Sequence, residues 1–151
     1  MNARAKDLYE RMCSFLEKKG WKFTREDEKL LIHFSTAGED LPMFFVLRID
    51  PERELIRLTS PLPFQFSEDK RIDGAIATCF ASYGLADGSF DYDIMDGSVS
   101  FRMTASFRNS RVGEELINYM IICSGFTVDK YNDQFLAINK GFLSISDFIS
   151  K

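Results

Sequence analysis

One histidine, three cysteines and four prolines in 151 residues leave this chain short of the side chains on which much enzyme and metal chemistry rests. A Ser-His-Asp triad would depend wholly on His33, and no Gly-x-Ser-x-Gly elbow accompanies it. Zinc sites need several Cys or His ligands at close spacing, whereas Cys13, Cys79 and Cys123 are odd in number and far apart. They read as small buried hydrophobes in a reducing compartment, and a cytoplasmic location is expected. The nine glycines form neither a dinucleotide-binding nor a Walker pattern, so no nucleotide or other cofactor is expected. A net charge of −4 and a pI near 5.1 exclude the basic footprint that nucleic-acid binding requires. No apolar run is long enough to cross a membrane, and the charged start Met1-Asn2-Ala3-Arg4-Ala5-Lys6-Asp7 has no signal-peptide core, so neither membrane insertion nor export is expected.

What the chain does have is a dense supply of core residues. It is 45% hydrophobic and 14% aromatic with 15 Phe, enough for one folded domain over residues 1–151, and it shows no internal repeat or linker.

Leu8, Met12, Phe15 and Leu16 recur at helical spacing, and Lys18-Lys19-Gly20 ends that helix. The period then changes to two, over Leu30–Ser35 and Met43–Ile49, which predicts two strands. Asp50-Pro51-Glu52-Arg53 is a turn, and Glu54–Thr59 returns as a third strand. A loop over those four residues sets Leu47 opposite Ile56 and Phe45 opposite Leu58 on a core face. On the other face it sets Arg48 opposite Leu55, Val46 opposite Arg57 and Phe44 opposite Thr59. Pro61-Leu62-Pro63 is expected to end the strand and Ser67 to cap a second helix with the apolar stripe Ile72, Ala75, Ile76, Cys79, Phe80 and Tyr83.

Phe90–Met95 and Ser98–Met103 flank Asp96-Gly97, which predicts a two-residue type I′ hairpin. That turn pairs Tyr92 with Phe101, Ile94 with Val99 and Phe90 with Met103, and puts Asp91 beside Arg102. A long helix follows from Ser110 to Gly141, with Gly125 a place for a kink, and Leu143–Ile149 adds a short terminal helix. The expected fold is α+β: a five-stranded antiparallel sheet with helices, in the order α-βββ-α-ββ-α.

Two places invite chemistry. His33 reads as a sheet residue or a lone base, and Asp87, Asp91, Asp93 and Asp96 as a solvated turn or an acidic ligand cluster; a small enzyme or ligand-binding domain near either is the alternative reading. Calcium-loop spacing counted from Asp91 fails, because Met95 stands at position five, Asp96 where glycine is needed and Arg102 where a bidentate Glu belongs. The favoured reading is no enzyme: Phe44, Val46 and Leu55 with Arg48 and Arg57 share one sheet face and mix large apolar groups with cations, as protein-binding patches do. A helix over that face is the competing arrangement.

The stretch Gly88–Arg102, with Gly-x-Phe-x-x-Asp followed by Gly-x-Val-x-Phe-Arg between two helices, resembles the YbjN family of proposed bacterial sensory transduction regulators. With the leading helix ending in Gly20-Trp21 and the long last helix, the likeness spans nearly the whole chain. It implies a fold like that of type III secretion chaperones, small acidic cytosolic proteins that dimerise and hold a segment of another protein, and it carries over no catalytic residue. A symmetric homodimer with its interface on helix two or the last strands, and a protein or peptide partner, are therefore expected.

Overall fold

Alternation after Trp21 does build strands, and a computed structural model describes residues 2–150 of the result. The chain runs α1 (Ala3–Lys18), β1 (Thr24–Glu26), β2 (Leu31–Ala37), β3 (Pro42–Asp50), β4 (Leu55–Gln65), α2 (Arg71–Tyr83), β5 (Ser89–Asp93), β6 (Ser98–Ser106), α3 (Glu114–Asn139) and α4 (Ile145–Ile149). The strands form one sheet in the order β1-β2-β3-β4-β6-β5, every neighbouring pair antiparallel. It has six strands, not five: β1 is only three residues, too short to show a period.

Helices α1, α2 and α3 pack on one face of this sheet and α4 packs on α2. Beneath them lie Ile32, Phe34, Phe45, Leu47, Ile49, Ile56, Leu58, Phe101 and Met103, all buried. Asn2 caps α1 by accepting from the amides of Arg4 and Ala5, and Gly20 leaves it at φ 78°.

Both hairpin registers differ from the counted ones by two residues, for the same reason. Asp50 pairs with Leu55 and Asp93 with Ser98, so the loops are Pro51–Glu54 and Ile94–Gly97. In each, an aspartate at the end of the incoming strand accepts from loop amides, Asp50 from Glu52 and Arg53 and Asp93 from Met95. In each, the fourth loop residue is left-handed, Glu54 at φ 55° and Gly97 at φ 79°. Asp96 is not left-handed, so the type I′ turn, which needs both central residues at positive φ, does not form. Tyr92 accordingly faces Val99, and Phe90 faces Phe101. Leu47 faces Leu58, and Arg48 faces Arg57. A shift of two preserves side-chain direction, so the residues that remain paired keep their expected faces, while Ile94, expected opposite Val99, falls in the loop and is exposed.

Pro61 and Pro63 do not end β4. Its pairing with β3 stops at Thr59, so no β3 carbonyl needs their missing N–H groups, and the ladder with β6 is irregular between Pro61 and Gln65. Ser67 precedes a 3₁₀ turn rather than capping α2, and its hydroxyl donates to Asp69 instead. Helix α3 begins at Glu114 and runs unbroken through Gly125.

The largest departure is in α2. Its buried residues are Gly74, Ala77, Thr78 and Ala81, while Ile72, Ile76, Cys79 and Tyr83 point outward. A Cβ on Gly74 would meet the Tyr92 hydroxyl at 2.6 Å and the Phe66 ring at 2.7 Å. Only a face of small residues lets α2 lie this close to the aromatic cluster.

Candidate functional site

The second face of the sheet carries no helix among the described residues, and apart from the buried Asp50 at its turn end its side chains are half-buried or exposed. The competing arrangement, a helix over this face, does not occur. Its rungs follow from the register. Leu31, Arg48, Arg57 and Thr104 form one, and His33, Val46, Thr59 and Arg102 the next; Ser35 and Phe44 begin a third. Leu55 lies at the turn end of β4, two residues before Arg57 on the same face, and pairs with Asp50 and Ser106. All five residues singled out from the sequence, Phe44, Val46, Leu55, Arg48 and Arg57, thus share one open surface.

Phe44 is 40% exposed, and its ring centroid stands 5.8 Å from that of His33. Arg48 and Arg57 face each other directly across β3 and β4, and among the described residues neither forms an ion pair. Like charges directly opposite on a sheet are destabilising, so this arrangement costs the free chain stability and leaves two cations available. Arg102 differs, since its guanidinium meets Asp91 at 2.8 Å, a diagonal form of the pairing expected from the sequence.

His33 lies on this same surface, paired with Thr24 and Val46, with its Nε2 3.8 Å from Glu26. The aspartates are each engaged locally. Asp87 accepts from the Tyr119 hydroxyl, Asp91 pairs with Arg102, Asp93 accepts from Met95 and Asp96 from Ser98. The Ser98 hydrogen bonds hold the Asp96 carboxyl below the usual carboxylate range, and the bond to Asp87 pushes the Tyr119 phenol up to about 12. Among the described residues no three His, Cys, Asp or Glu side chains gather as metal ligands.

A second surface is formed by the helix-two stripe that the sequence pattern was expected to bury, on the helix also named for a dimer interface. The outer ridge of α2, with Ile72 72% and Tyr83 92% exposed, is apolar, and so is that of α3 at Tyr119, Ile122 and Phe126. Periodicity alone cannot say which stripe of a helix faces inward. The available signal was the rival stripe of small residues, Gly74, Ala77, Thr78 and Ala81, at the same helical spacing.

An open antiparallel sheet with helices on one side, in the order α-ββββ-α-ββ-α-α, makes this an α+β domain. No family model and no curated protein matches the sequence. Among solved structures, the chain is similar to one in the ExsC-ExsE complex, with a TM-score of 0.61 and 15% identity over 88% of this chain and 96% of that one. It is also similar to YbjN from E. coli, proposed to be a transcription regulator, with a TM-score of 0.63 and 11% identity over 83% of this chain and 92% of that one. At such identities the likeness is one of fold. Among the described residues no helix is long and apolar enough to cross a membrane.

Proposed function

We propose that this chain is a cytoplasmic, non-enzymatic protein-binding module that works as a homodimer and holds a segment of another protein, as a chaperone or a signalling regulator. The observation that carries the reading is the bare sheet face, where Phe44, Val46 and Leu55 surround an unpaired Arg48–Arg57 couple. Folded monomers seldom keep a contiguous apolar and cationic surface uncovered without a use for it. A partner segment lying there sets apolar side chains against Phe44 and carboxylates against the arginines. The similarity to a chain of the two-protein ExsC-ExsE complex supports the same class of function. The homodimer is assigned to the outer ridge of α2, because a twofold contact buries one apolar patch on both copies at once.

Two substitutions separate the surfaces. Phe44→Asp should abolish capture of protein partners from lysate while leaving the thermal melt and the dimer mass unchanged. Ile76→Asp should yield a folded monomer by light scattering. A Phe44→Asp variant that captures the same proteins as the parent, or an Ile76→Asp variant of unchanged mass, would remove the corresponding assignment.

A further inference from the structure

The uncovered sheet face differs from one end to the other. Most of its charged side chains are matched within the chain: Arg102 meets Asp91, Glu26 meets Lys29 and Asp50 meets Arg53. Among the described residues, Arg48 and Arg57 at one end and Asp93 at the other form no ion pair. Arg57 stands opposite Thr104 of β6 and Asp93 opposite Ser98 of the same strand, so about 20 Å of strand separates the two ends. The Asp93 end is recessed. Beside the irregular stretch of the β4–β6 ladder lies a trough of about 490 Å³, lined by Pro61, Pro63 and Gln65 of β4, by Asp91 and Asp93 of β5 and by Ser100 between them. Asp93 accepts from the Met95 amide at 2.9 Å, which orients its carboxylate. Between the ends the surface is apolar, with Val46 half-buried, Phe44 40% exposed and Pro61 exposed. The Ser60 hydroxyl donates to the Phe44 carbonyl at 2.7 Å and ties β3 to β4 there.

We propose that the partner segment is charge-asymmetric: an extended stretch with a carboxylate over Arg48 and Arg57, apolar side chains over Val46, Phe44 and Pro61, and a lysine or arginine in the trough beside Asp93. This rests on the partner-surface reading above and adds to it the length of the segment and the chemistry of its far end. Charge complementarity carries it. An unpaired cation couple and an unpaired carboxylate at opposite ends of one open face attract a ligand bearing the matching order of charges and repel one bearing the reverse. At about 3.3 Å per residue, the gap between the two ends is spanned by about six residues of extended chain. An even separation of that kind points both charged side chains at the sheet, because side chains alternate along an extended segment. Pro61 and Pro63 give the trough apolar walls, against which the methylene stem of a lysine or arginine packs while its head reaches Asp93.

The test selects phage-displayed random peptides on the immobilised chain and measures the retained peptides, synthesised with a fluorophore, by polarisation. They should carry an acidic and a basic residue about six positions apart, with apolar residues between, in one order. Asp93→Lys should weaken such a peptide at least about tenfold, and changing the peptide's basic residue to glutamate should restore binding to that variant. Asp93→Asn keeps an acceptor for the Met95 amide and removes only the charge, so it should weaken binding about two- to fivefold. It reads the same contact should the charge reversal disturb the hairpin. Retained peptides that carry acidic and apolar residues alone, or that bind both Asp93 variants as tightly as the parent, overturn the trough contact and leave the partner-surface reading standing. Peptides whose binding also survives Arg57→Glu, or a selection that retains none, overturn both.

Discussion

At the scale of single residues, the described interior holds two buried polar side chains on α3 without partners, Ser124 and Asn132. Asn132 on α3 is fully buried, and neither atom of its amide has a hydrogen-bond partner. A buried unsatisfied amide costs about 1–3 kcal/mol, and leucine has nearly the same shape without the polar atoms. Asn132→Leu should thus raise the stability measured in urea by about 1–2 kcal/mol; a loss would mean the amide is bonded after all. Asp50 is the opposite case. Backbone amides at Arg53 and Glu52, with the Arg53 guanidinium, hold its carboxyl below the usual carboxylate range. A depressed folded value means this contribution is complete above the unfolded value near 3.9 and fades as pH falls towards the folded one. Asp50→Asn should therefore destabilise the protein at neutral pH by about 1 kcal/mol. The gap to the parent should narrow below about pH 4, and a constant gap would mean that the charge of Asp50 does not matter.

Between elements, two glycines in helix interiors test which packing is tight. A methyl added at Gly125 would have nothing nearer than the Phe45 ring at 3.9 Å, an ordinary contact, so Gly125→Ala should stabilise α3 by about 1 kcal/mol through helix propensity. Gly74 has Tyr92 and Phe66 inside contact distance, so Gly74→Ala should instead destabilise by about 1–3 kcal/mol. Opposite signs in thermal melts are the expected result, and equal signs would refute the close approach of α2. The same contrast marks what could be read from the residues alone. Element type and, in the strands of the sheet, side-chain face were legible, because periods of two and 3.6 are properties of the chain itself. Register was not, since both turns close through an aspartate carboxylate and a left-handed fourth residue, and nothing about Glu54 announces a positive φ. That Phe44, Val46, Leu55, Arg48 and Arg57 share one face was legible, because a two-residue slip preserves faces. The outward turn of α2 was not, because it is decided by Phe66 and Tyr92, which meet Gly74 only after the chain has folded.

Over the whole molecule, charge is distributed unevenly. The chain carries a net −4, yet its uncovered sheet face centres on two arginines with no carboxylate partner among the described residues. An acidic protein that retains a like-charge couple on an open face bears a cost in the free state that a bound acidic segment would relieve. This separates binding from folding in a way that most surface substitutions cannot. Arg48→Glu converts the couple with Arg57 into an opposite-charge cross-strand pair, which is worth about 0.5–1 kcal/mol relative to neutral residues. The variant should therefore melt at a higher temperature than the parent. The same change would set a carboxylate against the acidic groups of the proposed partner segment, so capture by the immobilised variant should fall at least about tenfold, and most steeply at low salt. A raised melting temperature with undiminished capture would take the arginines out of the partner surface; a lowered one would show that they do not repel each other in the free chain. Higher stability with lost binding is the signature of a cost kept for the partner's sake.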